Sequence, residues 1–480
     1  MTIRSLPFVR WARSLWPPDW ETLDYLVNTP VGKTLIAVGL GMVLGAAVGI
    51  QPEYALLGVV AVVGYLIALL NPILVVYALI AAIALTSGME RGGIIPALIP
   101  NEAALGGAFG VALPLLIRDK ERRFPTHGLL ILGMVALVEG TMLAPMFFQP
   151  LQGIGYSTSQ IIRMAAPVQY VMLFWVVRGI PTTQKQRDNL LFTMWVCAAI
   201  VSFVGVLQAF GIGPVTSLLS RFYASEHGAA AAELGRVTSL MSAWNVLGTF
   251  LMINLLLIRA AWKPKDMHPL QNYAVLGIVG LVVVCQLISG WFGGLGGRVI
   301  WLVLLEFIEG RINGQFVLLM GGLALVGLAV SPLLADRLEY QFGGGDTWIP
   351  QTLAFRFELW QEIFWPLAVD NFWWGMGPGI FGRLSWGWAE NHYLYLVIRT
   401  GFPSLLGHFV WLILTLIWLF GIIFKPDNPS HELAVAAATI LIVMSIMGMT
   451  NEVFTFSGVM EYIWIVLALI AGAQGDYLRE

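Results

Sequence analysis

Long apolar runs separated by short connectors dominate this 480-residue sequence. A helix needs about 20 predominantly apolar residues to cross a bilayer. Hydrophobic residues make up 58% of the chain and charged residues only 11%, whereas soluble domains carry about 25% charged residues. This pattern excludes a soluble globular protein and predicts an all-α, polytopic membrane protein.

The apolar runs predict about 12 to 14 transmembrane helices, since run length fixes a span only loosely. They lie near Thr34–Ile50, Tyr54–Leu70, Ile73–Thr86, Ala103–Ile117, His127–Ala144, Ala166–Val177, Leu190–Gly211, Asn245–Ala261, Tyr273–Ser289, Gly297–Glu309, Phe316–Val330, Pro403–Phe424, Leu433–Met449 and Val459–Ala473. Residues 1–33 form a leader that we expect at the cytosolic face. Residues 34–480 form one transmembrane domain, into which an extracytosolic loop, residues 331–391, is inserted.

Lysine and arginine are distributed unequally between the two predicted faces. With both termini in the cytoplasm, the positive-inside rule is satisfied, and the cytoplasmic side holds every lysine: Lys33, Lys120, Lys185, Lys263, Lys265 and Lys425. The basic residues of the outer connectors include no lysine and are the arginines Arg91, Arg163, Arg221, Arg236, Arg298, Arg337, Arg356, Arg383 and Arg399. Because the guanidinium group suits phosphate and carboxylate, this split predicts that the outer face binds an anionic substrate.

The largest outer segment, Ser331–Asn391, is rich in tryptophan and glycine. Within it, Ala354–Trp365 fits a short amphipathic helix that carries Arg356 and Trp360 one turn apart. A long loop of this kind is usually functional.

Two further arginines are expected where outer-facing helices begin. Arg236 precedes the Trp244–Asn245 helix start, and Arg298 follows the glycine-rich run from residue 289 to residue 297. Free N–H groups at a helix start, together with flexible glycines, can bind an anion. The alternatives are an interfacial arginine that reaches towards lipid headgroups and a flexible turn between two spans.

The segment Glu390–Pro403 carries the remaining candidates. In a helix, His392, Leu396 and Arg399 share one face, so a proton acceptor and an anion clamp would lie close together. The alternative is a structural histidine. The glycine run at residues 374–382 fits a tight turn that returns the loop to the membrane.

The acidic residues and cysteines of the apolar runs do not indicate a metal site or a cofactor site. Glu139, Glu306 and Glu461 fall in or near spans as structural or gating residues, and Cys197 and Cys285 fit apolar packing. We find no spacing typical of a metal site or a cofactor site. A net charge of −2 argues against a nucleic-acid partner.

Taken in their order along the chain, the motifs from about Gly235 to Asn451 resemble those of the bacterial O-antigen ligase and O-antigen polymerase superfamily of membrane glycosyltransferases. They comprise Arg236 before Trp244–Asn245, the Gly297–Arg298 pair, the Arg356-x-x-x-Trp360 helix, the glycine turn and the Asn391–His392 helix. Two positions depart from the family pattern, which usually has His-Asn at 391–392 and Ser-Arg at 297–298. The N-terminal half resembles the family only in hydropathy.

This resemblance implies a GT-C-type fold and a metal-independent glycosyltransferase without a cofactor, in a bacterial inner membrane, whose active site faces the periplasm. The donor would be an oligosaccharide on undecaprenyl diphosphate, and the acceptor a lipid-linked glycan or the lipid A core. Arg236 and Arg298 would hold the diphosphate, and His392 would orient or deprotonate the acceptor hydroxyl. The other substrate-binding residues would be Arg356, Arg399, Asn391, Trp360 and Asn245.

The resemblance favours a polymerase of O-antigen or exopolysaccharide slightly over an O-antigen ligase, with a chain-length regulator as a partner. A transporter or flippase of an anionic lipid-linked saccharide is the alternative. Transporters often contain related halves and midplane charges, and neither is visible here. A sensor or scaffold has no specific residue in its favour.

Overall fold

The computed structural model describes residues 64–65, 67–69, 71–91, 98–118, 166–180, 182–223, 236–262, 268–289, 350–377 and 389–477. Within these ranges the regular structure is helical and no β-strand occurs. The helices are α1 (Ile73–Thr86), α2 (Pro100–Arg118), α3 (Ala166–Gly179), α4 (Gln184–Ala209), α5 (Gly213–Phe222), α6 (Trp244–Ala261), α7 (Pro269–Ser289), α8 (Gln351–Leu359), α9 (Trp365–Asp370), α10 (His392–Thr400), α11 (Phe402–Ile423), α12 (His431–Met447) and α13 (Val459–Tyr477).

Five of these helices are long and apolar enough to cross a membrane, namely α2, α4, α6, α7 and α11. The apolar parts of α1, α3, α12 and α13 are shorter. The prediction of an all-α, multi-pass membrane protein is therefore confirmed. The predicted runs near Thr34–Ile50, His127–Ala144, Gly297–Glu309 and Phe316–Val330 lie outside the described residues, as does most of Tyr54–Leu70, so the total of 12 to 14 spans stays a prediction.

Helix α13 is enclosed by other helices. Its apolar residues from Tyr462 to Ala471 are all buried, which is typical of a helix that is apolar all round. Tyr462 packs edge-on against Phe250 of α6, with ring centroids 4.9 Å apart. Two residues further along the helix, Trp464 stacks on Tyr170 of α3 with ring centroids 6.2 Å apart. Helix α13 therefore holds the neighbouring helices in register.

The helix ends define two ends of the bundle. The site end contains the start of α6, the start of α10 and the connector Gly448–Gly458, which we call the α12–α13 connector. The side-chain amide of Asn245 in α6 donates to the Asn451 side chain at 3.4 Å, and this hydrogen bond joins α6 to the connector. The opposite end contains Lys185 in the first turn of α4 and Lys425 between α11 and α12.

The described part of the predicted outer loop contains a longer helical segment than the predicted Ala354–Trp365. Helix α8, a π-helical turn at Trp360–Phe364 and α9 follow one another without a break from residue 351 to residue 370. Pro350 precedes the first turn, where its missing N–H costs no hydrogen bond. Leu359, Phe364 and Ala368 are buried in one cluster with Ile398 of α10. The π turn keeps these three side chains on one face.

Candidate functional site

Three hydrogen bonds tie the short segment of residues 389–391, here the 389–391 segment, and the first residue of α10 to the α12–α13 connector. The backbone N–H of Ala389 donates to the Glu452 carboxylate at 2.9 Å. The side-chain amide of Asn391 donates to the Met449 carbonyl at 3.1 Å. The N–H of His392 donates to the Gly448 carbonyl at 2.8 Å. These bonds position the start of α10 against the connector.

Asn391, predicted as a substrate-binding residue, is the N-cap of α10. Its side-chain oxygen accepts from the backbone N–H groups of Tyr393 at 3.0 Å and Leu394 at 3.1 Å. A cap of this kind satisfies N–H groups that a helix start leaves without intrahelical partners. In this arrangement Asn391 positions His392, and its substrate contact stays a prediction.

Arg356 and Trp360 both contact the 389–391 segment. The Arg356 guanidinium forms an ion pair with Glu390, and the Trp360 indole N–H donates to the Ala389 carbonyl at 2.7 Å. The predicted spacing of one helical turn therefore brings the two side chains onto the same segment. Glu390 has a φ of 47°, a conformation that costs energy in a residue other than glycine. These contacts hold the segment in that conformation.

Glu452 is the main site residue that sequence analysis missed. The residue is 4% exposed. Burial raises its pKa to about 8, the nearby Glu390 charge adds to the rise, and backbone N–H bonds and Arg399 oppose it. The residue follows an apolar run without a local motif. Its partners lie in parts of the sequence that only the fold brings near.

His392 lies inside an aromatic cluster rather than at an open surface. Its side chain is 2% exposed, and its ring centroid is 4.9 Å from that of His408 and 5.0 Å from that of Phe454. Neither ring nitrogen has a hydrogen-bond partner in the described part of the chain. Burial and the adjacent His408 hold the pKa of His392 well below its usual value, so the ring is neutral at pH 7.

Tyr395 connects His392 with Arg399. The His392 and Tyr395 rings stack with centroids 6.2 Å apart. The Arg399 guanidinium lies 5.3 Å from the Tyr395 ring centroid and also donates to its hydroxyl group. The predicted helix through His392 and Arg399 is confirmed. Sequence analysis passed over Tyr395, although its spacing of i+3 from His392 and i−4 from Arg399 was a usable signal.

Arg236 and Asn245 reach the same end of the bundle from a distant part of the sequence. The Arg236 guanidinium lies 4.6 Å from the centroid of the Trp244 ring, a cation–π distance. Asn245 follows Trp244 directly and contacts Asn451 of the connector. Arg298, predicted to act with Arg236 on a diphosphate, lies outside the described residues.

The described part of the predicted glycine turn packs against the end of α10. Gly375 and Gly377 both have positive φ angles, 66° and 82°. The N–H of Gly377 donates to the Arg399 carbonyl at 2.9 Å. A Cβ atom on Gly375 would lie 2.5 Å from the Arg399 carbonyl carbon, so only glycine permits this approach. The turn therefore fixes the backbone that carries Arg399.

The site end thus combines guanidinium groups, a neutral imidazole and a buried carboxyl group. Within the ranges that the structure describes, no group of three or more His, Cys, Asp or Glu side chains could hold a metal ion. The chemistry available from these residues is anion binding and proton transfer. No protein-family model and no curated protein matches the sequence.

Proposed function

We propose that the protein transfers a glycan from an undecaprenyl-diphosphate-linked donor to a sugar hydroxyl at the outer face of a bacterial inner membrane. The fold would be of the GT-C type, and the product a longer O-antigen or exopolysaccharide chain. Polymerase is the slightly favoured activity over ligation to the lipid A core.

One observation carries this proposal: candidate residues that are far apart in the sequence converge on the same end of the bundle. Asn245 reaches the α12–α13 connector directly, and Glu452 in that connector binds the 389–391 segment. Arg356 and Trp360 bind the same segment. The convergence supports a shared binding site for an anionic substrate, because guanidinium groups are well suited to phosphate.

The proposed step replaces a bond between the donor sugar and diphosphate by a glycosidic bond. The acceptor oxygen attacks the anomeric carbon of the donor sugar, and the bond from that carbon to the diphosphate oxygen breaks. The electron pair leaves with undecaprenyl diphosphate, whose growing negative charge Arg236 and Arg298 would stabilise. The acceptor proton would pass to neutral His392, the form of imidazole that can accept it.

The buried position of His392 sets a condition on this role. At 2% exposure the ring is reached only when the surrounding aromatic residues, among them Phe454, move aside for the acceptor. The low pKa of the buried ring also makes it a weak base, and a diphosphate bound nearby would raise that pKa by favouring the charged form.

The activity can be tested with the full-length protein in lipid vesicles, supplied with a lipid-linked oligosaccharide in the presence of EDTA. We expect chain lengthening, or transfer when lipid A core is added, and strong loss in Arg298→Ala and His392→Ala. Arg221→Ala is a matched control, since Arg221 is an exposed outer arginine beside Phe222. Unchanged products in both site variants would reject the assigned roles.

The same vesicles distinguish the alternative function. If labelled donor crosses the bilayer and no glycosidic bond forms with either acceptor, the protein is a transporter of the lipid-linked saccharide. Competition between a lipid-linked acceptor and lipid A core, assayed in one reaction, separates polymerase from ligase.

A further inference from the structure

Helix α9 and the residues after it present a stripe of exposed aromatic and aliphatic side chains. Trp365, Val369 and Trp373 are spaced at i, i+4 and i+8, and are 61%, 57% and 61% exposed. Trp374 is 56% exposed and lies next to them in the sequence. Trp365 and Val369 lie on one face of α9, which ends at Asp370, and Trp373 and Trp374 lie in the turn that follows it. A group of exposed apolar side chains of this kind marks an interaction site.

The stripe is joined to the first residue of a helix long enough to cross the membrane. Phe402 begins α11, and its N–H donates to the Phe372 carbonyl at 2.7 Å. The rings of Phe372 and Phe402 stack with centroids 4.8 Å apart, and Trp373 packs edge-on against Phe402 at 6.1 Å. Gly401 permits this contact, because a Cβ atom there would lie 2.3 Å from the Trp373 carbonyl oxygen.

Helix α11 has an exposed apolar face that continues from the same point. Leu406, Phe409, Ile413 and Ile417 are 50%, 37%, 53% and 61% exposed. Together with Phe402 they follow the spacing of one helix face. In a helix with the length and hydropathy of a span, a face of this kind is the one that lipid covers. The aromatic residues on Phe402 therefore extend a lipid-facing surface beyond the start of the helix.

We propose that Trp365, Val369, Trp373 and Trp374 form a membrane-seating surface that rests in the outer leaflet, at the boundary between headgroups and hydrocarbon. Tryptophan is suited to this depth, because its ring is apolar and its N–H can bond to headgroups or water. The partner is membrane lipid. The proposal assigns these residues to the bilayer, and it does not depend on the transferase activity.

The surface would also set the height of the site above the membrane. Leu359 and Phe364 of the same helical segment pack against α10, and Arg356 one turn earlier pairs with Glu390. A helical segment seated by its tryptophans would therefore hold these residues at headgroup level. That is the level at which a lipid-linked anion carries its charge.

The test compares two adjacent positions of the full-length protein in nanodiscs of phosphatidylcholine and phosphatidylglycerol, without any lipid-linked glycan. Val369→Cys lies on the stripe, and Asp370→Cys is its matched control, because the next helical residue points about 100° away. Each cysteine is labelled with an environment-sensitive fluorophore. The native Cys197 and Cys285 are buried, so labelling is directed to the introduced thiol.

We expect the fluorophore at position 369 to be quenched several-fold more than that at position 370 by a lipid with a doxyl group at carbon 5. We expect a smaller effect from a doxyl group at carbon 12, and the opposite order for quenching by aqueous iodide. Equal quenching at both positions would overturn the proposal, whether by lipid or by iodide. So would protection at position 369 that arises only after lipid-linked glycan is added, since the surface would then bind sugar.

Discussion

Two pairs of glutamate side chains lie near helix starts in this protein, and they obtain their hydrogen-bond partners in different ways. Glu102 and Glu461 lie in the first turns of α2 and α13 and line one small cavity. Glu461 accepts from Ser457 and Gly458, four and three residues away. Glu102 accepts from Arg91 and Ile99, and also from Gln169 of the neighbouring helix α3. Negative charge in a first turn is also stabilised by the helix dipole.

Glu390 and Glu452 depend instead on contacts between distant segments. Arg356 pairs with Glu390 across 34 positions, and Ala389 donates to Glu452 across 63. The first pair of carboxylates caps helices and packs the bundle. The second pair joins α8, the 389–391 segment and the α12–α13 connector. The described candidates Arg356, Trp360, His392 and Arg399 lie on or next to these segments. Partners close in the sequence therefore dominate at the structural pair, whereas the partners at the candidate site come from distant segments.

The largest contrast should come from two arginines, Arg399 near Glu452 and Arg91 paired with Glu102. Arg399→Ala removes a cation held over Tyr395, and we expect transfer activity to fall by about 10²- to 10³-fold, as when one transition-state donor is lost. Arg91→Ala should lower the thermal stability and leave the activity of the folded protein nearly unchanged. Turnover per folded molecule and melting temperature, measured together, check both. Equal loss of turnover in the two variants would remove the distinction.

Glu452 should give the stability of the protein a pH dependence that Glu452→Gln removes. The pKa is about 8 in the folded protein against 4.5 for the ordinary group, so the folded state binds the proton more tightly. The stabilising effect of this proton is complete below about pH 4.5 and is lost as the pH rises through about 8, an effect on the order of a few kcal/mol.

Melting temperatures between pH 5 and pH 9 measure this effect. We expect a fall with rising pH in the wild type, a much flatter profile in Glu452→Gln, and a wild-type profile in the control Asp370→Asn, whose carboxylate is exposed. A Glu452→Gln profile as steep as that of the wild type would place the titrating group elsewhere.

Loss of a helix cap should have a smaller effect. Asn391→Ala removes the side chain that accepts from Tyr393 and Leu394, and we expect a loss of about 1 to 2 kcal/mol in stability. Thr183→Ala removes a comparable cap from α4 at the opposite end of the bundle. Both variants should melt earlier, but only Asn391→Ala should also impair transfer, because the cap positions His392. Impaired transfer in Thr183→Ala would count against this explanation.

The smallest effect should be the coupling between Asn245 and Asn451, whose side-chain amides are 3.4 Å apart. A double-mutant cycle with alanine at both positions should give about 0.5 to 1 kcal/mol, the value of one hydrogen bond between neutral groups. A coupling energy near zero would mean that this contact does not hold α6 to the connector.

The helices could be predicted well because their signals are local. Runs of apolar residues fixed α1 to its observed ends, Ile73–Thr86, and the spacing of Arg356 and Trp360 indicated a helix in the outer loop. The bounds of that helix were too narrow, because Ala368 and the residues around it are ordered by packing against α10. Hydropathy does not register such packing.

The amino-acid sequence alone determined that this chain forms apolar helices, and its lysine and arginine content predicted which connectors face outwards. Hydrophobic length and charge are properties of consecutive residues, so they can be recognised without coordinates. Only the tertiary structure decided that Glu452 supports the 389–391 segment and that His392 lies buried beside His408. Those contacts join segments far apart in the chain, and the pKa of each group follows from the burial that the fold creates.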